Sequence, residues 1–198
     1  MYILADQQGA PHKMMNIANK ITISRIILTP LFIAAIIYSR MDIALVFFIL
    51  AVISDGLDGF IARARNEKTV LGTILDPIAD KTLLISAFIC LAIVKNIPEN
   101  LRLPPYVPII VISRDAIIVL GSVLIHVVKG DIKIEPSFWG KLTTFFQMMT
   151  IVAILVKFPY SEIVWNIATL LTVISGVDYM LKGSRTLNEN NLSNKRKA

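Results

Sequence analysis

The sequence holds a single cysteine, Cys90, and it falls inside an apolar run. An intrachain disulfide is therefore excluded and a cysteine-based metal site is not expected; Cys90 reads as a small buried hydrophobe. Low-complexity tracts are absent, and so are internal repeats of about 20–50 residues, so the chain is not read as a repeat array. The basic residues form no single stripe, so the formal net charge of +6 does not point to nucleic acid. They flank apolar runs instead, which fits anionic lipid headgroups and the bias of basic residues towards one side of a membrane.

What the chain has in excess is apolar length. Its composition is 55% AVILMFWYC and its mean hydropathy is +0.68, against about 45–50% apolar residues in an average soluble domain. The excess is concentrated in runs near the roughly 20 residues a bilayer-spanning helix needs. The 198 residues are enough for one domain. The expected fold is all-α and polytopic, with about six transmembrane helices at residues 21–38, 43–62, 74–94, 106–128, 138–158 and 162–181. A short interfacial helix over Met14–Lys20 is expected before the first span. A cleaved signal peptide is the alternative reading of the first run, disfavoured because that run leads straight into further spans. Between spans, Ser39–Asp42 reads as a polar turn, Arg63–Thr69 and Lys129–Pro136 as charged loops, and Asn96–Pro105 as a proline-rich break. The domain is expected over residues 1–185. The basic tail, 186–198, is expected to be disordered towards its end.

Lysine and arginine set the orientation. One set of helix ends carries Lys13, Lys20, Arg63, Arg65, Lys68, Lys129, Lys133, Lys141, Lys182 and Arg185, together with the tail. The other carries Arg40, Lys95, Arg102 and Lys157. An even number of helices puts both termini on the richer side, which predicts a cytoplasmic location for that side.

Four aspartates stand where a membrane helix should carry no charge. Asp55 and Asp58 are three apart, and Asp76 and Asp80 are four apart, so each pair shares one helix face. The two helices are consecutive, and both pairs fall at the predicted cytoplasmic end. Facing carboxylates repel and take up protons unless a cation lies between them. Oxygen-only ligands with no histidine or cysteine nearby favour Mg²⁺, Mn²⁺ or Ca²⁺ over zinc. Gly56, Gly59, Ala62 and Gly72 are interleaved with the acids and permit close backbone approach. Arg63, one turn beyond Gly59, can pair with an acid or a phosphate. Taken singly, each aspartate could be a salt-bridged helix end; the four together with these neighbours point to phosphoryl-transfer chemistry. A cation channel or transporter would need acids along a continuous path through the bilayer. Here the distal helix halves are apolar, and Glu162 lies at the opposite end of the last helix from the acids. A non-catalytic scaffold would leave Asp80 unexplained.

These residues resemble the signature of the CDP-alcohol phosphotransferase family, D-x2-D-G-x2-A-R-x8-G-x3-D-x3-D. Asp55, Asp58, Gly59, Ala62, Arg63, Gly72, Asp76 and Asp80 occupy all eight fixed positions without a gap. The resemblance implies a six-helix membrane fold, commonly homodimeric. It implies metal, Mg²⁺ or Mn²⁺, on Asp55, Asp58 and Asp76, with Asp80 as catalytic base and further metal contact. Asp58, Gly59, Ala62, Arg63 and Gly72 would hold the cytidine diphosphate of CDP-diacylglycerol.

Two more stretches are similar to the branch of the family that makes anionic phospholipids. Asn16–Arg25 resembles its NIPNxLTxxR start, with Ala18 in place of the proline; Asn19 and Thr22 would then lie near the nucleotide and Arg25 at the acceptor phosphate. Trp139–Gln147 resembles its GKxxTxxQ stretch, which would put Lys141, with Arg114, on the acceptor's phosphate. The plainer readings are an interfacial lysine at Lys141 and a pair with adjacent Asp115 at Arg114. Glycerol 3-phosphate is the expected acceptor and phosphatidylglycerol the alternative. Members using the former usually carry Arg-Glu, whereas Ile112-Ser113-Arg114-Asp115 looks more like the cardiolipin-forming members. The bacterial cell (inner) membrane is the expected location. Met148, Met149 and the aromatic residues at helix ends read as packing and interface anchors.

Overall fold

In the computed structural model, residues 17–65, 70–129 and 138–195 are described, and within them the side chains of 17–23, 55–65, 70–80, 100, 122–129 and 185–195 are not. Among the described residues every regular element is helical. α1 spans Ile17–Ile37, α2 Met41–Arg65, α3 Val70–Ile93, α4 Tyr106–Lys129, α5 Phe138–Leu155 and α6 Ser161–Lys195, with one 3-10 turn at Glu99–Leu101 before α4.

These limits follow the hydropathy breaks closely, because each break contains residues that end helices. The α1–α2 turn closes with Ser39 N–H on the Ile36 carbonyl and Arg40 N–H on the Ala35 carbonyl. The α5–α6 turn repeats it, with Lys157 N–H on Ile154 and Phe158 N–H on Ala153. Both are Schellman caps, and their left-handed positions are held by Ser39 (φ 58°) and Lys157 (φ 57°) rather than by glycine. Between α3 and α4, Arg102 Nη2 donates to the Lys95 carbonyl at 2.7 Å, so the break folds back on the end of α3.

Two expectations are modified. The expected interfacial helix is not separate: Ile17–Lys20 form the first turn of α1, and Met14–Asn16 lie outside the described residues. The polar tail does not start as coil. α6 carries helix through it to Lys195, and an Asp178–Lys182 pair at 2.8 Å, one turn apart, reinforces the helix as it leaves the apolar region.

The chain alternates direction. Tyr106 meets Asn166, Arg114 meets Ser175 and Tyr179 meets the Ile118 carbonyl, so numbers rise together and α4 and α6 run parallel. Leu103 with Leu91 and Lys81 with Asp115 make α3 and α4 antiparallel. α1 packs on α2 and α3, and α5 on α6. Phe32, Ile36, Phe48, Leu84, Phe88 and Leu91 fill the core where α1, α2 and α3 meet.

The surface inverts the usual soluble pattern. Ile93, Ile109, Leu120 and Leu170 are each more than 60% exposed, whereas Arg25, Arg114, Asp115, Thr143, Gln147, Thr172 and Ser175 are buried. Large exposed apolar side chains on every helix, with polar groups between helices, suit a lipid surround in which helices bond to one another through polar and small residues. Among the described residues, Phe138–Leu155 and Ser161–Ser184 are long and apolar enough to cross a bilayer. Ser24–Ile37, Met41–Ser54 and Lys81–Ile93 are shorter apolar stretches.

Among the described glycines, Gly121 lies closest to a side chain of another helix. A Cβ there would stand 2.8 Å from the Tyr179 ring, which donates its hydroxyl to the Ile118 carbonyl at 3.0 Å. Gly121→Ala is expected to displace the ring and destabilise the protein by about 1–3 kcal/mol. The readout is thermal unfolding in detergent, and an unchanged midpoint would mean that the ring moves aside at no cost.

Candidate functional site

The four aspartates are placed by two consecutive helices. Asp55 and Asp58 lie in the second half of α2, and Asp76 and Asp80 in the first half of α3, with only residues 66–69 between the helices. The helical backbone confirms the spacing argument: three and four residues apart on a helix is one face. Their side chains, and those of Asn19, Thr22, Gly59, Ala62, Arg63 and Gly72, lie outside the described residues. As a donor set, four carboxylates without nitrogen or sulfur suit a hard divalent cation such as Mg²⁺ or Mn²⁺.

The residues expected at the acceptor phosphate separate into two buried and one exposed. Arg25 is only 1% exposed on α1, and its carbonyl accepts a bond from Thr29 Oγ1 at 2.9 Å. Lys141 is exposed near the start of α5. Arg114 is enclosed among α4, α5 and α6. Its Nη1 donates to Asp115 Oδ1 at 2.8 Å and its Nη2 donates to Ser175 Oγ at 2.7 Å. The pairing with Asp115 anticipated from the sequence is therefore present, and Ser175 adds to it. Arg114 Nε is also buried, with no hydrogen-bond partner among the described residues.

Glycine makes room for this guanidinium. A Cβ at Gly140 would lie 3.2 Å from Arg114 Nη2, and one at Gly176 would lie 3.5 Å from Arg114 Cγ. Gly140 thus brings the start of α5, and with it Lys141, to the level of Arg114. The other Oδ of Asp115 accepts from Lys81 Nζ at 2.6 Å, across from α3. Lys81 follows Asp80 directly, so a chain of bonds runs from the aspartate helix through Asp115 and Arg114 to α6.

The GKxxTxxQ stretch serves mainly to pack α5 on α6. Thr143 Oγ1 donates to the Leu171 carbonyl at 3.0 Å and Gln147 Nε2 to Thr172 Oγ1 at 3.3 Å, and both residues are fully buried. Lys141 points away from that seam. The sequence reading missed Lys81, Gly140 as a spacer, and Ser175. Lys81 carried a usable signal, a charge inside the Ile74–Val94 run; Ser175 carried none, because a lone serine in a membrane helix bonds its own backbone as readily as a distant arginine.

A family model described as CDP-alcohol phosphatidyltransferase matches residues 15–175. The chain is 30% identical to the CDP-diacylglycerol--glycerol-3-phosphate 3-phosphatidyltransferase of Aquifex aeolicus, across 87% of this chain and 98% of that protein. It is 33% identical to the Haemophilus influenzae protein of the same name, across 88% and 97% respectively. It is also 29% identical to the cardiolipin synthase (CMP-forming) of Rattus norvegicus, across 94% of this chain and 67% of that protein. With the family match running from before α1 into α6, through both aspartate pairs and the Arg114–Lys141 region, the chain belongs to the CDP-alcohol phosphatidyltransferase family.

Proposed function

We propose that this membrane-embedded enzyme transfers the phosphatidyl group of CDP-diacylglycerol to glycerol 3-phosphate, giving phosphatidylglycerophosphate and CMP. The observation that carries the reading is the gapless eight-position motif at the facing ends of α2 and α3. Relatives bearing the glycerol 3-phosphate name match over nearly their whole length and support this acceptor. Phosphatidylglycerol is the second reading, supported by the Arg114-Asp115 dipeptide and by the cardiolipin synthase relative.

All six helices span the membrane in this reading. The aspartate pairs, Lys141 and the α6 extension face the cytoplasm, which in a bacterium means the inner face of the cell membrane. The enzyme works as a homodimer.

Asp55, Asp58, Asp76 and Asp80 would hold Mg²⁺ or Mn²⁺, which when bound neutralises the diphosphate and eases departure of CMP. Asn19, Thr22, Asp58, Gly59, Ala62, Arg63 and Gly72 bind the cytidine diphosphate, the small residues giving its phosphates access to backbone. Asp80 accepts the proton of the acceptor's hydroxyl. The freed oxygen bonds to the phosphorus that carries diacylglycerol, and the bond from that phosphorus to the bridging oxygen breaks, releasing CMP. Lys141 draws the acceptor's phosphate, and Arg25 and Arg114 add positive charge from within the helix packing.

Replacing Asp80 by Asn removes the base while keeping size and polarity. CMP release is expected to fall by about 10²-fold or more, with the detergent-solubilised fold and nucleotide binding retained; full activity would exclude Asp80 as the base. Excess chelator is expected to abolish turnover, and added Mg²⁺ or Mn²⁺ to restore it, whereas activity that persists in chelator would remove the metal from the reading. Purified protein given CDP-diacylglycerol and Mg²⁺ is expected to convert glycerol 3-phosphate to phosphatidylglycerophosphate. Cardiolipin formed from phosphatidylglycerol instead would establish the second reading.

A further inference from the structure

We propose that Lys81, alongside Lys141, directly meets the acceptor's phosphate, and that Asp115, braced by Arg114 and Ser175, positions Lys81. This inference rests on the reading that the acceptor carries a phosphate, which holds for glycerol 3-phosphate and phosphatidylglycerol alike.

The starting point is a charge imbalance. One carboxylate, Asp115, faces two cations: Lys81 at 2.6 Å on one oxygen and Arg114 at 2.8 Å on the other. Among the described residues these three side chains therefore carry one excess positive charge inside an apolar helix assembly, where an uncompensated charge is costly and usually marks a ligand path. An anion arriving there gains from that imbalance.

Accessibility decides which cation it meets. The side chains of Arg114 and Asp115 are 8% and 6% exposed, while that of Lys81 is 33% exposed. Arg114 has given one terminal nitrogen to Asp115 and the other to Ser175, and Gly140 closes over the latter. The Lys81 ammonium has three donors, of which Asp115 engages one. The Lys81 side chain is half-buried, and a charged group in the middle of an apolar sequence turns its accessible part to water rather than to lipid. Lys81 follows Asp80 on α3, so this ammonium and the aspartate motif belong to adjacent positions of one helix.

Position supplies the chemical logic. A cation one residue after the base fixes the acceptor's phosphate close to the group that takes the proton from its hydroxyl, and this orientation favours attack. Asp115 acts through Lys81 and is a positioning residue. Arg114 and Ser175 lock Asp115 in turn, so the ammonium is held by a chain of bonds that ends on α6.

The test measures KM for each substrate with Lys81→Gln and Lys81→Arg, using CDP-diacylglycerol, Mg²⁺ and either glycerol 3-phosphate or phosphatidylglycerol. Lys81→Gln is expected to raise the acceptor KM by about tenfold or more and to change that for CDP-diacylglycerol by less than about twofold, as loss of a charge-assisted bond predicts. Lys81→Arg is expected to recover most of the loss. Unchanged acceptor KM in Lys81→Gln, or an equal rise for both substrates without recovery by Lys81→Arg, overturns the proposal. The acceptor that supports CMP release from the unaltered protein decides the acceptor reading separately. Calorimetric titration of glycerol 3-phosphate into the unaltered protein and Lys81→Gln repeats the comparison without turnover: weaker binding by the variant supports the proposal, and equal binding, or none by either, overturns it.

Discussion

An apolar surround offers no water to a buried charge, and this constraint shapes the centre of the molecule. Arg114 and Asp115 are adjacent in sequence and both nearly inaccessible, so each needs a partner from another helix as well as from its neighbour. Lys81 supplies one from α3 and Ser175 the other from α6. The geometry in turn dictates small residues nearby. The guanidinium occupies space that a side chain at Gly140 would take, and Gly176 lies against its stem. Three helices, α3, α4 and α6, are therefore registered by one ion network, with α5 packed against it through Gly140, and that level adjoins the aspartate-bearing part of α3.

Away from the network the same constraint is met more cheaply. Hydroxyls at Thr29, Thr150, Thr169 and Thr172 bond the carbonyl four residues earlier, so they satisfy themselves without a neighbour. Among the described residues Thr143, Gln147, Tyr106 and Tyr179 make hydrogen bonds across to another helix, and all four bonds involve α6. α6 is thus the helix against which α4 and α5 are both fixed. Its extension beyond the apolar region continues that rod rather than forming a separate element.

The helices were legible because their causes are local: apolar run length, prolines and polar breaks are all written in consecutive residues. The limits of α4 and α5 at Tyr106 and Phe138 match the sequence reading for that reason. The aspartate motif was legible for a similar reason, since fixed spacing on a helix is a property of the chain itself. What the sequence did not disclose depends on which helix lies beside which. Ser175 as an arginine partner, and Gly140 as a spacer for a side chain 26 residues earlier, arise only from packing. The α6 extension was missed because the last span was ended with its apolar run at Leu181, whereas a helix already nucleated by a long apolar segment adds residues at little cost.

The acceptor question turns on the same network. The Arg114-Asp115 dipeptide resembles the cardiolipin-forming members, yet both oxygens of Asp115 are engaged and its side chain is 6% exposed. A residue so enclosed does not touch a substrate, and its length is matched to the gap between Lys81 and Arg114. The dipeptide therefore reports how α3 and α4 are joined before it reports which alcohol is used. Relatives bearing either name are about 30% identical to the chain, so overall identity does not separate the two acceptors. The weight shifts to the groups a phosphate can reach, and among the described cations near this level those are Lys81 and Lys141. Both acceptors carry a phosphate for such groups, but only phosphatidylglycerol brings two acyl chains that must approach from the bilayer. Discrimination between them then involves lateral access at the bilayer as well as charge, since a phosphate monoester carries up to two negative charges and a diester one.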